Sequence, residues 1–183
     1  RIKMNLHNFL FGVYPYIALS VFFLGSWQRF DREQYTWKSD SSQLLSNANM
    51  RLGINLFHVG IIAIFFGHAV GLLTPHSVFR AIGVSDMAHQ MIAIWAGSIF
   101  GGLCLIGGAI LWVRRMFNAR VSAASRGSDK FILTWLLITL LIGLFTIPVS
   151  IGHANHDNPN VMIALAEWVQ SIVYLRPDPS LLN

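Results

Sequence analysis

Cysteine is almost absent. Cys104 stands alone inside a long apolar run, which excludes disulfides, cysteine-ligated clusters and the C-x-x-C-H attachment of a c-type haem. A buried packing role is the plain reading of it. Charge is scarce as well: 11% of residues carry it, eight acids against thirteen bases, while 54% are hydrophobic and the mean hydropathy is +0.54. So few charges leave too little polar surface for a soluble domain of this length. The pI is about 9.9, yet the bases form no patch interleaved with aromatics, so nucleic acid is not the expected partner. Low-complexity tracts, repeats and a soluble second domain are also missing, and residues 1–183 read as a single membrane domain.

What is present is four uncharged stretches, 9–27, 54–73, 91–113 and 131–149, each long enough to cross a hydrocarbon core of roughly 30 Å as a helix. The fold class is therefore all-α, a polytopic transmembrane helix bundle in lipid. Arg29, Arg32, Lys38 and Arg51 flank the first connection, and Arg114, Arg115, Arg120, Arg126 and Lys130 fill the third, whereas the second has only Arg80. By the positive-inside rule, loops 29–54 and 114–130 are cytoplasmic, and the N-terminus and the tail after Val149 face outward. A cleaved leader is not expected of the first stretch, which is too long and lacks a small-x-small site after it.

Between these stretches the pattern predicts further local structure. Asp40 with Gln43 resembles a capping box, and Leu44, Leu45, Ala48 and Leu52 follow at helical spacing, so a short cytoplasmic helix is expected to lead into the second span. Pro15 reads as a kink and Pro148 as a helix stop, with a polar turn from Gly152 to Pro159. Residues 160–175 follow, where Val161, Leu165, Trp168, Val169 and Ile172 share a face and Glu167 is the one charge. That pattern predicts an outward interfacial helix rather than a fifth span.

The histidines carry the chemistry. In NLFHVGIIAIFFGHAVGLLTPH, His58 and His68 are ten residues apart, about 15 Å of rise and about 80° of rotation on one helix. One metal cannot touch both, but two cofactors stacked along the membrane normal can each take one imidazole. The competing reading is two polar rings that only bond to neighbouring helices. Two in one span favour ligation, in which iron takes one nitrogen and a carbonyl or carboxylate the other. Gly60, Gly67 and Gly71 form a stripe on the same helix, and Gly97, Gly101 and Gly108 a matching one on the next. Close helix packing explains the pair better than contact with a porphyrin does. His76, His89, His153 and His156, taken singly, read as solvated interfacial side chains.

YPYIALSVFFLGSWQRFDREQYTW, SSQLL, NLFHVGIIAIFFGHAVGLLTPH, GGLCLIGGAILWVRRMF, GLFTIPVSIGH and WVQSIV together closely resemble respiratory nitrate reductase gamma subunits, across essentially the whole chain. The resemblance implies a five-span, di-haem cytochrome b of the cell (inner) membrane. It would oxidise a quinol near the outward face and pass electrons through two b-type haems to an iron–sulfur beta subunit and a molybdenum alpha subunit that reduces nitrate. It implies His58 as ligand to the inner haem iron and His68 to the outer one, with Gly67 beside the outer haem. The opposite ligands belong to a fifth span, before which this sequence stops at Asn183, so half of each ligand set is expected to be missing; His153 and His156 are poor replacements. Where some members carry a lysine at the start of the third span, this chain reads Asp86-Met-Ala-His-Gln90, and whether His89 substitutes stays open. Two protons must leave as a quinol is oxidised, and His68, His89 and His76 are the candidate groups on that side. Two other readings stand: a haem-b anchor of a different reductase, and a redox-inactive membrane anchor.

Overall fold

The computed structural model describes residues 5–36, 48–155 and 160–182, and every described element is helical. Four helices are long and apolar enough to cross a membrane: the first span Leu6–Glu33, the second Ala48–Leu73, the third Asp86–Phe117 and the fourth Gly127–Asn155. Each runs past the bounds expected from the uncharged stretches. Hydrophobicity marks only the part that meets acyl chains, whereas helical hydrogen bonding continues through charged ends such as Arg114 and Arg115 in the last turn of the third span. At 32 residues that helix is about 48 Å long, well beyond the hydrocarbon core. The four spans and the helix Asn160–Val173 agree with the all-α membrane class.

Pro15 stands in the first turn of the regular helix Tyr14–Glu33, directly after a π-helical turn at Phe9–Val13. Pro148 lies inside the fourth helix, which continues to Asn155 where a polar turn from Gly152 was expected. Proline is tolerated in a spanning helix because surrounding groups satisfy the freed backbone. The expected capping box at Asp40 lies outside the described residues; Ala48 and Leu52 belong to the second span itself.

Contacts divide the chain into two compact units. The first draws on Arg1–Lys38, Gly71–Asp86 and Pro159–Asn183. Here Pro15 has no N–H for the carbonyl of Phe11, four residues earlier, and the indole Nε1–H of Trp168 donates to that carbonyl at 2.9 Å. Tyr16 Oη–H donates to the carbonyl of Ile172 at 3.1 Å, and the amide of Gln170 donates to the carbonyls of Leu72 and Thr74 at 3.1 and 3.2 Å. The helix Asn160–Val173 is thus pinned to the first span and to the end of the second. Its buried residues are Ala166 and Ile172, while Val161 and Leu165 are exposed. Ile172 of the expected apolar face is buried against the protein, while Val161 and Leu165 of that face stay open, as an interfacial helix that meets lipid requires.

The second unit draws on Ser39–Val70 and Met87–Asn158. Its second and third spans cross at very close range: a Cβ on Gly107 would lie 2.4 Å from the backbone N of Phe57, and one on Gly60 would lie 2.6 Å from the backbone N of Cys104. The expected packing of Gly60 holds, but its partners are Cys104 and Phe100. Gly101 receives Leu144 of the fourth span, Gly108 lies against both Leu137 of that span and the Phe57 ring of the second, and Gly97 and Gly67 face open space. Cys104 is fully buried, the packing residue its sequence context suggested.

Gly107→Ala is therefore expected to destabilise the membrane-embedded chain by about 1–3 kcal/mol through overpacking against backbone. Gly97→Ala, with nothing in its way, is expected to change stability by no more than about 0.5 kcal/mol. Unfolding titrations of both variants in detergent would check this; equal effects would contradict the close crossing.

Candidate functional site

His58 and His68 solve the same local problem in the same way. His58 Nδ1 lies 2.8 Å from the carbonyl of Ile54, and His68 Nδ1 lies 2.9 Å from the carbonyl of Ile64, in each case four residues back on the second span. A carbonyl only accepts, so Nδ1 carries the proton in both rings and Nε2 carries the lone pair. Both side chains are exposed, and Nε2 of each has no partner among the described residues. A neutral imidazole with Nδ1–H tied to a carbonyl and Nε2 turned outward is the arrangement that metal-ligating histidines adopt. The two rings cannot share an ion, given about 15 Å of helix rise between them. Among the described residues no group of three His, Cys, Asp or Glu is placed to hold a metal. That requirement falls away for haem iron, which takes four nitrogens from its porphyrin and only axial ligands from protein.

His58 lines an open cleft of about 370 Å³ in the second unit. Ile54, Phe57, Leu111 and Leu136 supply apolar walls, and Arg114 and Arg115 bring guanidinium groups to it from the last turn of the third span. Arg115 Nη1 stands 3.5 Å from Asp129 Oδ2, both side chains largely buried. Asp129 also accepts from the backbone N–H of Arg126 at 3.2 Å, which fixes the start of the fourth span. The cleft thus joins a ring nitrogen, an apolar slot and positive charge, which suits a flat hydrophobic group bearing carboxylates. Around His68 the adjacent Gly67 leaves open space where a side chain would stand.

His76 and His89 are not the solvated side chains expected from sequence. His76 and His89 are each only 8% exposed, because the ends of the spans pack against neighbouring structure rather than fraying into water. Beside His89, Gln90 is 4% exposed and its amide donates to the carbonyl of Ser150 at 3.1 Å, a tie between the third and fourth spans. His58, His68, Gly67 and His89 belong to the second unit and His76 to the first. The helix His76–Ala81 closes with Gly83 at φ 84°, the N–H of Gly83 bonding to the carbonyl of Arg80 and that of Val84 to the carbonyl of Phe79. This glycine-dependent cap turns the chain back so that Asp86 meets both Arg80 and His76. Sequence reasoning passed over Asp86 and Asp129; the one available signal was an acid at each helix start facing a base across a short turn. The side chain of His153 and all of His156 lie outside the described residues.

The sequence model of the nitrate reductase gamma subunit family matches residues 7–183. The chain belongs to that family. It is 47% identical over 168 residues to the respiratory nitrate reductase 1 gamma chain of Escherichia coli (strain K12), covering 92% of this chain and 73% of that one. To the respiratory nitrate reductase 2 gamma chain of the same strain it is 48% identical over 175 residues, 96% of this chain and 76% of that one. The nitrate reductase gamma chain of Bacillus subtilis (strain 168) is 34% identical over 174 residues, 95% and 77% of the two chains. The family resemblance drawn from the sequence motifs therefore holds.

A double-mutant cycle on Arg115→Gln and Asp129→Asn is expected to give a coupling energy of about 1 kcal/mol or more, above the usual value for exposed pairs. Additive effects in unfolding titrations would show that the pair does not organise the cleft of this gamma-family chain.

Proposed function

We propose that this chain is the membrane electron-transfer subunit of a nitrate reductase complex, taking electrons from a quinol near the outward face and delivering them to partner subunits on the cytoplasmic side. The observation that carries this reading is the pair of outward Nε2 lone pairs on one spanning helix, each fixed by a Nδ1–H bond to the carbonyl four residues back. Bound at both positions, b-type haems would supply reversible one-electron chemistry along the membrane normal. His58 would hold the inner iron and His68 the outer one, with Gly67 leaving room beside His68. Arg114 and Arg115 balance carboxylates at the inner cleft and present positive charge toward the cytoplasmic side.

Quinol docks, on this reading, toward the outward end of the second span near His68 and Gly67. Two electrons leave inward while two protons are accepted by side chains on the outward side, with His76 and His89 the candidate groups. Only electrons cross the low-dielectric core, so charge separates without a proton channel. The partners that complete the reaction are an iron–sulfur beta subunit and a molybdenum alpha subunit, where nitrate is reduced. The complex sits in the cell membrane with the N-terminus outward and the Arg-rich connections on the cytoplasmic side.

His58→Ala and His68→Ala, introduced singly into the complete complex, test this directly. Each is expected to remove one of two b-type absorbance components, with a different midpoint potential lost in each case, and to abolish quinol-driven nitrate reduction. Retention of both components and of subunit assembly in both variants would instead identify the chain as a redox-inactive anchor.

A further inference from the structure

The His58 cleft holds an ion pair whose geometry is incomplete. Asp129 is the third residue of the fourth helix, and its Oδ2 reaches back to accept the N–H of Arg126 at 3.2 Å, which ties the carboxylate to the helix start. The same oxygen stands 3.5 Å from Arg115 Nη1, beyond a normal hydrogen bond. Elsewhere in the chain Arg80, largely exposed, donates through Nε to both oxygens of Asp86 at 3.2 and 3.1 Å. The better covered guanidinium thus has the poorer partner. Arg115 is 21% exposed and Asp129 8%, and Nε and Nη2 of Arg115 have no hydrogen bond among the described residues. Charged donors left so in a half-covered slot are costly unless a second anion meets them. The backbone beneath the pair is held as well. Lys130 Nζ donates to Ser122 Oγ at 2.7 Å, Trp112 Nε1–H donates to Thr134 Oγ1 at 2.8 Å, and that hydroxyl donates to the carbonyl of Lys130 at 2.8 Å. The ends of the third and fourth spans are therefore locked together around the pair.

We propose that Asp129 is a positioning residue for the inner cofactor: it aims Arg115 into the His58 cleft and leaves the rest of that guanidinium for a carboxylate of the bound haem. The inference rests on the electron-transfer reading above and deepens it, since it assigns a role to an acid that has no place among iron ligands. Asp129 acts only through Arg115. A single contact from one oxygen holds one edge of the planar fork and leaves the others to pair with a carboxylate, the geometry for which arginine is suited. A full fork between Asp129 and Arg115 would consume those donors, and the bond from the Arg126 N–H to Asp129 Oδ2 draws the carboxylate away from that arrangement.

The test uses the intact complex, assembled without haem and then loaded with haem b or with its dimethyl ester, in which both carboxylates are blocked. Loading of the inner site is read as the absorbance component that His58→Ala removes, and loading of the outer site, on His68, reports assembly in every variant. The parent is expected to prefer haem over the ester at the inner site. Asp129→Asn is expected to lower that preference about tenfold, the size of one hydrogen bond to a charged group, and Arg115→Gln to lower it at least as far. The double variant is expected to match Arg115→Gln alone, and Asp129→Glu, which keeps the charge, to recover most of the preference. An Asp129→Asn complex with the parent's preference, or a double variant that falls below Arg115→Gln by the factor Asp129→Asn shows alone, would overturn the proposal and leave the electron-transfer reading intact. A parent complex that takes up haem at neither histidine would overturn both.

Discussion

In a helix the backbone carbonyl is already committed to an amide four residues on, yet at Ile54 and Ile64 it also receives the Nδ1–H of His58 and His68. The proposed function depends on that repeated bond. An imidazole inside a membrane-spanning helix has two nitrogens to satisfy, and leaving either unsatisfied in hydrocarbon is costly. Using the helix's own carbonyl for one nitrogen needs no second helix. It also fixes the ring and its tautomer, so that the remaining lone pair points away from the span at a defined depth.

The packing around the second span serves that end. Glycines at 53, 60 and 107 let the second and third spans come to backbone contact, a distance that no side chain permits, and Leu137 and Leu144 of the fourth span fill the notches at Gly108 and Gly101. With no hydrophobic driving force between helices in lipid, such van der Waals contact is what sets their register. The register in turn places His58 beside Leu111, Arg114 and Arg115 in one cleft. In the first unit, polar ties replace small residues: Trp168 answers the carbonyl that Pro15 leaves open, and Gln170 answers the carbonyls at the end of the second span.

Much of this was legible from residues alone. Uncharged runs located all four spans, since hydrocarbon thickness leaves little freedom in length, and the histidine spacing excluded a shared metal before any geometry was known. Helix ends were less legible, because charged residues beyond the hydrocarbon remain helical, as at Asp86 and Arg115. The continuation through Pro148 was hidden too, since proline breaks helices in water but not where neighbours satisfy the backbone. The burial of His76 and its approach to Asp86 depend on a left-handed Gly83 and a turn whose path the pattern does not encode. The ties that Trp168 and Gln170 make from the helix Asn160–Val173 were not legible, because periodicity weighs apolar side chains and not the reach of an indole or amide tip.

Density from the assembled nitrate reductase complex at the two Nε2 atoms is the most direct measurement of the central claim. The expected result is two porphyrins at different depths, one with its iron on His58 Nε2 in the cleft beside Arg114 and Arg115 and one with its iron on His68 Nε2 beside Gly67. Rings bordered only by lipid or by partner side chains, with no macrocycle at either nitrogen, would contradict it.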